Sequence, residues 1–372
     1  MPYLTGLDLP FSFYAVSAFA LGLIFGSFLN VVIHRVPRGE SIVYPGSHCG
    51  ACDAPIKAFD NIPLVSFALL GGRCRSCRAR IPFSYPMIEL LAGLIFVAIV
   101  FKAGPSWEAI PEFAFACVMI ALVFIDARHR LLPNVITYPA FLFALIGATA
   151  QAALWEQPSQ TFDISLLFPA LQSEFTQWRA ALFGGSILAM AAPGFRLLDK
   201  LDPILFGKYF DLEESDKNDG QTEAERRHNR AIRATMVIGV IAAAAWAATV
   251  FFFSSKHQTA IEDAYNGLLR ASAGALIYGG LIWCVRAIYF FIRGFEGMGL
   301  GDVKMMSVVS AFLGWRDALG VLLIGSIIGL ITGVILIYRS KREFSTPLPF
   351  GACLGVASLI ILVLSSFNFA KP

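Results

Sequence analysis

The chain has 372 residues, of which 57% are hydrophobic and only 15% are charged, and its mean hydropathy is +0.67. This composition excludes an ordinary water-soluble globular protein of this size. The net charge of +3 is small and the basic residues are scattered among loops, so no nucleic-acid partner is indicated. The lipid bilayer is the first partner that the sequence predicts.

Apolar windows of about 20 residues recur along the chain, which is the length of a helix that crosses roughly 30 Å of hydrocarbon. The alternation expected of a membrane β-barrel is absent, so the predicted fold class is all-α: a polytopic transmembrane helical bundle. Ten spans are predicted, in chain order, at 11–33, 84–101, 110–125, 135–153, 180–195, 234–253, 269–292, 303–313, 318–338 and 350–367.

The distribution of basic residues predicts the orientation of these spans. Residues 1–10 contain no Lys or Arg, whereas Arg35 and Arg38 directly follow the first apolar run. A cleaved signal peptide has the opposite order of charge, so this run is predicted to be a first span. The positive-inside rule then places the N-terminus outside and the loop 34–83 in the cytoplasm.

The loop 34–83, which we term the cysteine loop, contains two CxxC pairs: Cys49 with Cys52, and Cys74 with Cys77. Four thiolates in this spacing favour a closed tetrahedral Zn²⁺ site, whose metal is structural because no position stays open for catalysis. Metal binding would then provide most of the folding free energy of so short a loop. Two disulfides are one alternative, which the reducing cytoplasm disfavours, and four unconnected cysteines are the other.

Two aspartates stand at the ends of predicted spans, where a charged group is costly. Asp126 ends the third span, and Asp302 begins the eighth within Gly297–Lys304. The predicted topology places both near the cytoplasmic face, and a pair of carboxylates sharing one proton suits peptide hydrolysis. The alternative for each is a helix-end carboxylate: Asp302 at a helix N-terminus, or Asp126 beside nearby arginines.

Other charged or special positions lie close to these aspartates. Gly299 and Gly301 allow the backbone to bend before Asp302, although glycine-rich turns also precede helices without catalysis. Lys304 either lowers the proton affinity of Asp302 or extends towards the interface.

Residues 197–233 carry many charges of both signs, which favours a solvated cytoplasmic loop.

Taken together, these motifs closely resemble the prepilin peptidases, the type IV leader peptidases of pilus and type II secretion systems. The matching segments are residues 26–35, both CxxC pairs, 61–66, 85–91, 125–126 with 131–134, and 297–304. The resemblance covers about 1–150 and 270–367. It implies a GxGD membrane aspartic endopeptidase of the bacterial cytoplasmic membrane in which Asp126 and Asp302 are catalytic and Gly299, Gly301 and Lys304 support the site.

The family resemblance also implies the substrates and a second activity. The substrates would be pilin-like precursors, cut after a glycine at the cytoplasmic edge of a hydrophobic helix. Many members then N-methylate the new terminus with S-adenosylmethionine, and Asn61, Pro63 and Glu89 are candidates for the substrate or methyl-donor region. Some members are peptidases only, and this chain has no Rossmann-type glycine fingerprint for a methyl donor.

The chain departs from the family in two places. Ser84 stands where members often carry arginine, and residues 179–268 resemble an insertion with two extra spans. The predicted organisation is a first span (1–33), the cysteine loop (34–83), a bundle carrying Asp126 (84–178), the insertion (179–268) and a bundle carrying the GxGD motif (269–372).

Two other classes of function are compatible with parts of this sequence. A transporter would use intramembrane acids as a proton path, but the midplane of the predicted bundle is nearly free of charge. A non-catalytic assembly factor would use the cysteine loop for docking and would not need both aspartates. The sequence therefore favours the peptidase.

Overall fold

The computed structural model describes residues 10–107, 109–154, 258–293, 298–340 and 349–364, with scattered positions between 184 and 248. Over these residues the chain is helical, with two isolated β-bridges and no strand. It divides into two compact units, Met1–Arg130 with Gly355–Pro372, and Leu131–Leu354. The prediction of an all-α membrane bundle is confirmed for the described part of the chain.

The described helices are, in chain order, α1 (Phe11–Arg35), α2 (Val65–Leu69), α3 (Ser84–Ala103), α4 (Ala109–His129), α5 (Asn134–Leu154), α6 (Gln258–Arg293), α7 (Leu300–Leu313), α8 (Trp315–Ser340) and α9 (Phe350–Leu364). Glycines with positive φ terminate α3 and α7: Gly104 at 70° and Gly314 at 85°. Each donates its N–H to the carbonyl four residues earlier, and its positive φ, which glycine adopts without strain, turns the chain out of the helix.

In the first unit, α1 packs closely along α3. Gly22 and Gly26 lie four residues apart on the contact face of α1, and a Cβ atom added at either would come within 2.7 Å of the α3 backbone. Small residues at this spacing let two membrane helices approach closely enough for extensive van der Waals contact. The GxxxG pair in α1 therefore sets the distance between the two helices.

The helix α4 packs on both α1 and α3 in the first unit. Phe96 of α3 stacks on Phe113 of α4 with ring centroids 4.2 Å apart, beside buried Ala18 and Val100. Lys102 forms an ion pair with Glu112 at 2.9 Å, so a charge at the end of α3 is neutralised by the start of α4.

In the second unit, α5, α6 and α7 form the core. Leucines and small residues of the three helices pack together; this cluster includes Leu142, Leu145, Leu268, Ala275 and Ala311. By contrast, α8 exposes large aliphatic side chains such as Leu330 and Val334. Such a surface is compatible with lipid and not with water.

Six described helices are long and apolar enough to cross a bilayer: α1, α3, α4, α5, α6 and α8. They match six of the ten predicted spans. The helix α7, predicted as the eighth span, has 14 residues and is about 21 Å long, which is shorter than the hydrocarbon core. The last predicted span corresponds to α9, a shorter apolar helix of 15 residues.

The predicted insertion 179–268 lies mainly outside the described residues, as do its predicted spans 180–195 and 234–253. Of the charged stretch 197–233, the structure describes only Leu197 and Asp199. The helix α6 begins at Gln258, about three turns before the predicted start of its span at 269. Those turns carry Asp263 beside buried Ile261 and Tyr265, so they are amphipathic and escape a search for continuous apolar sequence.

Candidate functional site

Asp126 lies in the last turns of α4, in the first unit. It is 6% exposed, next to Ile125, which is fully buried. The helix continues one turn beyond it to His129, whereas the sequence predicted that the span would end at the aspartate. Arg130, with φ of 54°, donates its N–H to the carbonyl of Asp126 at 2.8 Å and ends the helix. The carboxylate is therefore held on a helical backbone at the edge of the apolar core.

Asp302 lies in the first turn of α7, in the second unit, and is also 6% exposed. Its N–H donates to the carbonyl of Gly299, the extended residue that precedes the helix, at 3.2 Å. A helix N-terminus favours a negative charge at this position. The two aspartates belong to different units, so their catalytic pairing stays a prediction.

The glycines before Asp302 differ in what surrounds them. A Cβ atom on Gly301 would lie 2.9 Å from the side chain of Leu132, so this glycine lets α7 begin directly against the residues preceding α5. A Cβ atom on Gly299 would meet no close neighbour. Gly297 is outside the described residues. Close packing therefore explains the glycine at 301 but not the one at 299.

Lys304 is 4% exposed and does not extend to a surface. Its ammonium contacts Asp199 Oδ1 and donates to Asn134 Oδ1 at 2.7 Å. Asn134 Nδ2 donates to Asp199 Oδ2 at 3.1 Å, and the hydroxyl of Tyr138 donates to the same oxygen. We term these four residues the Lys304 cluster. Lys304 and Asp302 are two positions apart on α7 and so lie on different faces of that helix.

The four cysteines of the cysteine loop converge. Their Sγ atoms all lie within 4.8 Å of one another, and those of Cys49 and Cys77 are 3.8 Å apart. A tetrahedron with Zn–S bonds of about 2.3 Å has edges of about 3.8 Å, so the donor set fits a zinc ion. The predicted cluster of Cys49, Cys52, Cys74 and Cys77 is confirmed as a site that can hold this metal.

The two knuckles share one backbone geometry. Asp53 donates its N–H to the carbonyl of Cys49 at 2.9 Å, and Arg78 donates to that of Cys74 at 3.1 Å. Both residues have positive φ, 54° and 61°. The turn brings backbone N–H groups towards sulfur: hydrogen bonds from the amides of Cys77 and Ser76 lower the pKa of the Cys74 thiol to about 6. At Cys74 the thiolate, the form that binds zinc, is therefore favoured at neutral pH. At Cys52 the backbone N–H of Ala54 acts in the same direction, but hydrogen bonding with Cys77 and Cys49 and burial outweigh it and raise the pKa of the thiol to about 12.

Glu89, on α3, supports the part of the cysteine loop that lies between the two CxxC pairs. It is buried, and its Oε2 accepts a hydrogen bond at 2.9 Å from the N–H of Leu64, which has φ of 59°. Asn30 of α1 donates to the carbonyl of Tyr85 at 3.1 Å and joins the same region to the start of α3. These buried polar contacts hold the segment that contains Asn61 and Pro63.

Asn61 and Pro63 line a groove of about 320 Å³ beside the second half of α1, which we term the α1 groove. Its other walls are Ile24, Ser27, Phe28, Val31, Arg35 and residues 42–43 and 45–47. Arg35 is buried, and its guanidinium donates to the carbonyls of Ser41, Pro45 and Gly46 at 2.7–3.0 Å. The groove therefore combines apolar walls with polar groups.

The sequence did not predict the role of Asp199, nor the hydrogen bonds of Arg35 to backbone carbonyls. Asp199 stands in a charged stretch, where no pattern distinguishes one acid from its neighbours. The sequence indicates Arg35 as a topology signal and as the last residue of a family-like segment, but not as a ligand of backbone carbonyls, for which a charged residue at the end of a packed apolar helix is a candidate.

Two protein families match this chain. The bacterial peptidase A24 N-terminal domain matches residues 20–103, and the type IV leader peptidase family matches residues 113–192 and 229–334. The first match covers α1, the cysteine loop and α3. The second covers both aspartates and three residues of the Lys304 cluster, Asn134, Tyr138 and Lys304; Asp199 falls between its two matched segments.

Curated relatives carry one name. The chain is 26% identical to the prepilin leader peptidase/N-methyltransferase of Pseudomonas aeruginosa, over 92% of this chain and 88% of the relative. It is 27% identical to the protein of that name from Aeromonas salmonicida, over 95% and 92%. A Myxococcus xanthus protein of the same name is 44% identical over 35% of this chain and 38% of its own length. No solved structure matches the chain.

Proposed function

Because the chain belongs to the type IV leader peptidase family, as the motif resemblance predicted, we propose that it cleaves the leaders of pilin-like precursors with Asp126 and Asp302 as the catalytic pair. The observation that supports this pair is their shared setting: each is 6% exposed and stands at the end of a helix within the family match. Family membership favours the peptidase over the transport and assembly alternatives.

The proposed chemistry needs one carboxylate and one carboxylic acid. The ionised aspartate takes a proton from water, whose oxygen attacks the carbonyl carbon of the scissile peptide, while the protonated aspartic acid donates its proton to the carbonyl oxygen. Collapse of the tetrahedral intermediate breaks the C–N bond: the leaving nitrogen takes a proton from the first carboxyl group, and a hydroxyl of the intermediate returns its proton to the second. Burial favours one shared proton over two charges.

We infer that the site faces the cytoplasm of a bacterial inner membrane and that cleavage follows a glycine at the edge of the precursor's hydrophobic helix. The basic residues of the cysteine loop and the joint after α4, with none before α1, support this orientation. Zinc would hold the cysteine loop in shape and take no part in hydrolysis, because four cysteine ligands leave no open position.

The α1 groove is the proposed methyl-donor site. S-adenosylmethionine supplies a methyl group when it is bound; Asn61 and Ser27 offer polar contacts to such a ligand, and Phe28 offers an apolar wall. Glu89 is proposed to act indirectly, by holding the segment that carries Asn61 and Pro63. The relatives' names include N-methyltransferase, which supports the second activity.

One experiment tests both activities. A purified pilin-like precursor is incubated with the enzyme in detergent, with and without S-adenosylmethionine, and the products are weighed by mass spectrometry. We expect a product that starts just after the leader glycine, and the mass of one added methyl group when the donor is present. Asn61→Ala should lose the methyl group and keep cleavage. Unchanged cleavage by Asp126→Ala or Asp302→Ala would refute the catalytic pair.

A further inference from the structure

The Lys304 cluster gives the chain a buried charge that the peptidase chemistry does not use. Lys304 is 4% exposed, on the helix that carries Asp302. An ammonium taken out of water is costly unless a counter-charge and hydrogen-bond acceptors replace the solvent. Lys304 has both, and they come from outside α7.

The counter-charge is Asp199, a residue of the stretch between α5 and α6. One of its oxygens contacts the ammonium of Lys304, and the other accepts from Asn134 and Tyr138. Asn134 also accepts from Lys304, so Lys304, Asp199 and Asn134 form a closed ring of hydrogen bonds. The ring of Tyr138 lies 5.4 Å from the ammonium and adds a cation–π contact.

This ring joins three segments that are distant in sequence. Asn134 and Tyr138 are one turn apart at the start of α5, Lys304 is in the second turn of α7, and Asp199 bridges them. Just before Lys304, Gly301 packs against Leu132, the residue two positions before α5. Asp302 therefore stands between the close contact of Gly301 with the Leu132 side chain and the ion pair of Lys304, and both fix the start of α7 against the region where α5 begins.

We propose that Asp199 is a positioning residue for Asp302: by binding Lys304 it holds the first turns of α7 in the orientation that cleavage requires. This inference rests on the proposed function. It gives Asp199, which lies in the predicted insertion 179–268, a role in the peptidase site. Asp199 acts through Lys304 and does not touch the scissile peptide.

The kinetic test compares Asp199→Asn with the wild type, using a pilin-like precursor. Asparagine keeps the shape and removes the charge. We expect kcat to fall by about 10- to 100-fold, the effect of a displacement of roughly 1 Å at a catalytic group, with KM nearly unchanged. Asp199→Glu should recover much of the rate. Asp263→Asn, an exposed acid on α6 of the same unit, is the matched control and should behave as wild type.

Two further measurements do not depend on activity. In Asp199→Asn the amides of residues 300–306 should exchange hydrogen faster than in the control. The thermal midpoint should fall in Asp199→Asn and recover when Lys304→Gln is added, because the second change removes the uncompensated charge. A double variant whose thermal midpoint falls by the sum of the two single-variant decreases would show that the residues are not coupled and would overturn the proposal.

The kinetic outcomes are equally decisive. A normal kcat in Asp199→Asn, or a raised KM with a normal kcat, would also overturn the positioning role. Activity in Asp302→Asn would instead refute the proposed catalytic pair, while the thermal and exchange measurements would still decide whether Asp199 orders α7.

Discussion

The cysteine loop and the Lys304 cluster maintain their shapes in opposite ways. In the loop, each knuckle is built from residues four or five positions apart, and the two knuckles meet through sulfur atoms that a single metal can bind. In the Lys304 cluster, the contacts join residues 65, 105 and 170 positions apart. The first kind of structure is encoded in a short motif, whereas the second exists only after helices have packed.

The largest expected effect is on cleavage and concerns Asp126 and Asp302, two residues that are far apart in sequence. Replacing either by Asn keeps its size and removes the carboxylate that hydrolysis needs. We expect cleavage to fall by at least about 10³-fold, as is typical when one member of a catalytic pair is lost. Quantitative mass spectrometry of the precursor measures the rate of cleavage, and an immunoblot compares how much of each variant is inserted in the membrane.

The control for that experiment is Asp263→Asn, which removes an exposed carboxylate from the second unit. It should cleave at the wild-type rate. A similar loss in all three variants would indicate damage to folding and contradict a specific requirement for the pair.

Loss of zinc tests the cysteine loop, whose structure depends on a short motif. Cys74→Ser should abolish the single bound zinc and make residues 40–82 sensitive to protease, because structural zinc contributes about 10–16 kcal/mol to folding of such modules. Metal analysis and limited proteolysis measure the change. The helices outside the loop should stay inserted.

The chain offers a matched control in Cys284, an exposed cysteine of α6. Cys284→Ser should keep one zinc and the wild-type proteolysis pattern. A protein that retains zinc after Cys74→Ser, or that never contains zinc although its thiols are free, would contradict the four-cysteine site.

Helix packing in the first unit should respond to a single methyl group. Gly22→Ala places a Cβ within 2.7 Å of the Ala92 carbonyl and the Gly93 Cα, so α1 must move away from α3. We expect a destabilisation of about 1–3 kcal/mol, typical of overpacking, as a lower unfolding temperature in detergent.

The control is Gly147→Ala in α5, where a Cβ atom meets nothing within 4 Å. There alanine should be neutral or slightly stabilising, because it is the better helix former. Equal behaviour of the two variants would mean that the α1–α3 approach is looser than the structure shows.

The difference between contacts that are local in sequence and contacts that are distant also explains which features the sequence predicted. Apolar windows located α1, α3, α4 and α5 to within a few residues, and cysteine spacing predicted the metal cluster. The windows were too short wherever helices include polar turns: the predicted span ended before α4 does, at His129, and began after α6 does, at Gln258. Asp199 was missed because its partners are fixed by tertiary packing and by no local pattern.

The smallest expected effect lies within the cysteine loop, at the ion pair of Asp60 and Arg75. Arg75 donates two hydrogen bonds to the carboxylate, at 2.6 and 2.8 Å, and these bonds together with its charge lower the pKa of Asp60. A lowered pKa means that the pair stabilises the loop above the unfolded pKa of about 3.9 and loses this effect only as pH falls through the still lower folded value.

Asp60→Asn should therefore speed zinc loss to a chelator only a few-fold, as expected of a solvent-accessible pair. The difference from wild type should be equal at pH 6 and pH 8, since Asp60 stays ionised at both, and should narrow in high salt. Glu40→Gln, an exposed acid of the same loop, should show no difference from wild type. An Asp60→Asn effect that disappears between pH 8 and pH 6 would show that Asp60 titrates there, which a carboxylate held by Arg75 cannot do.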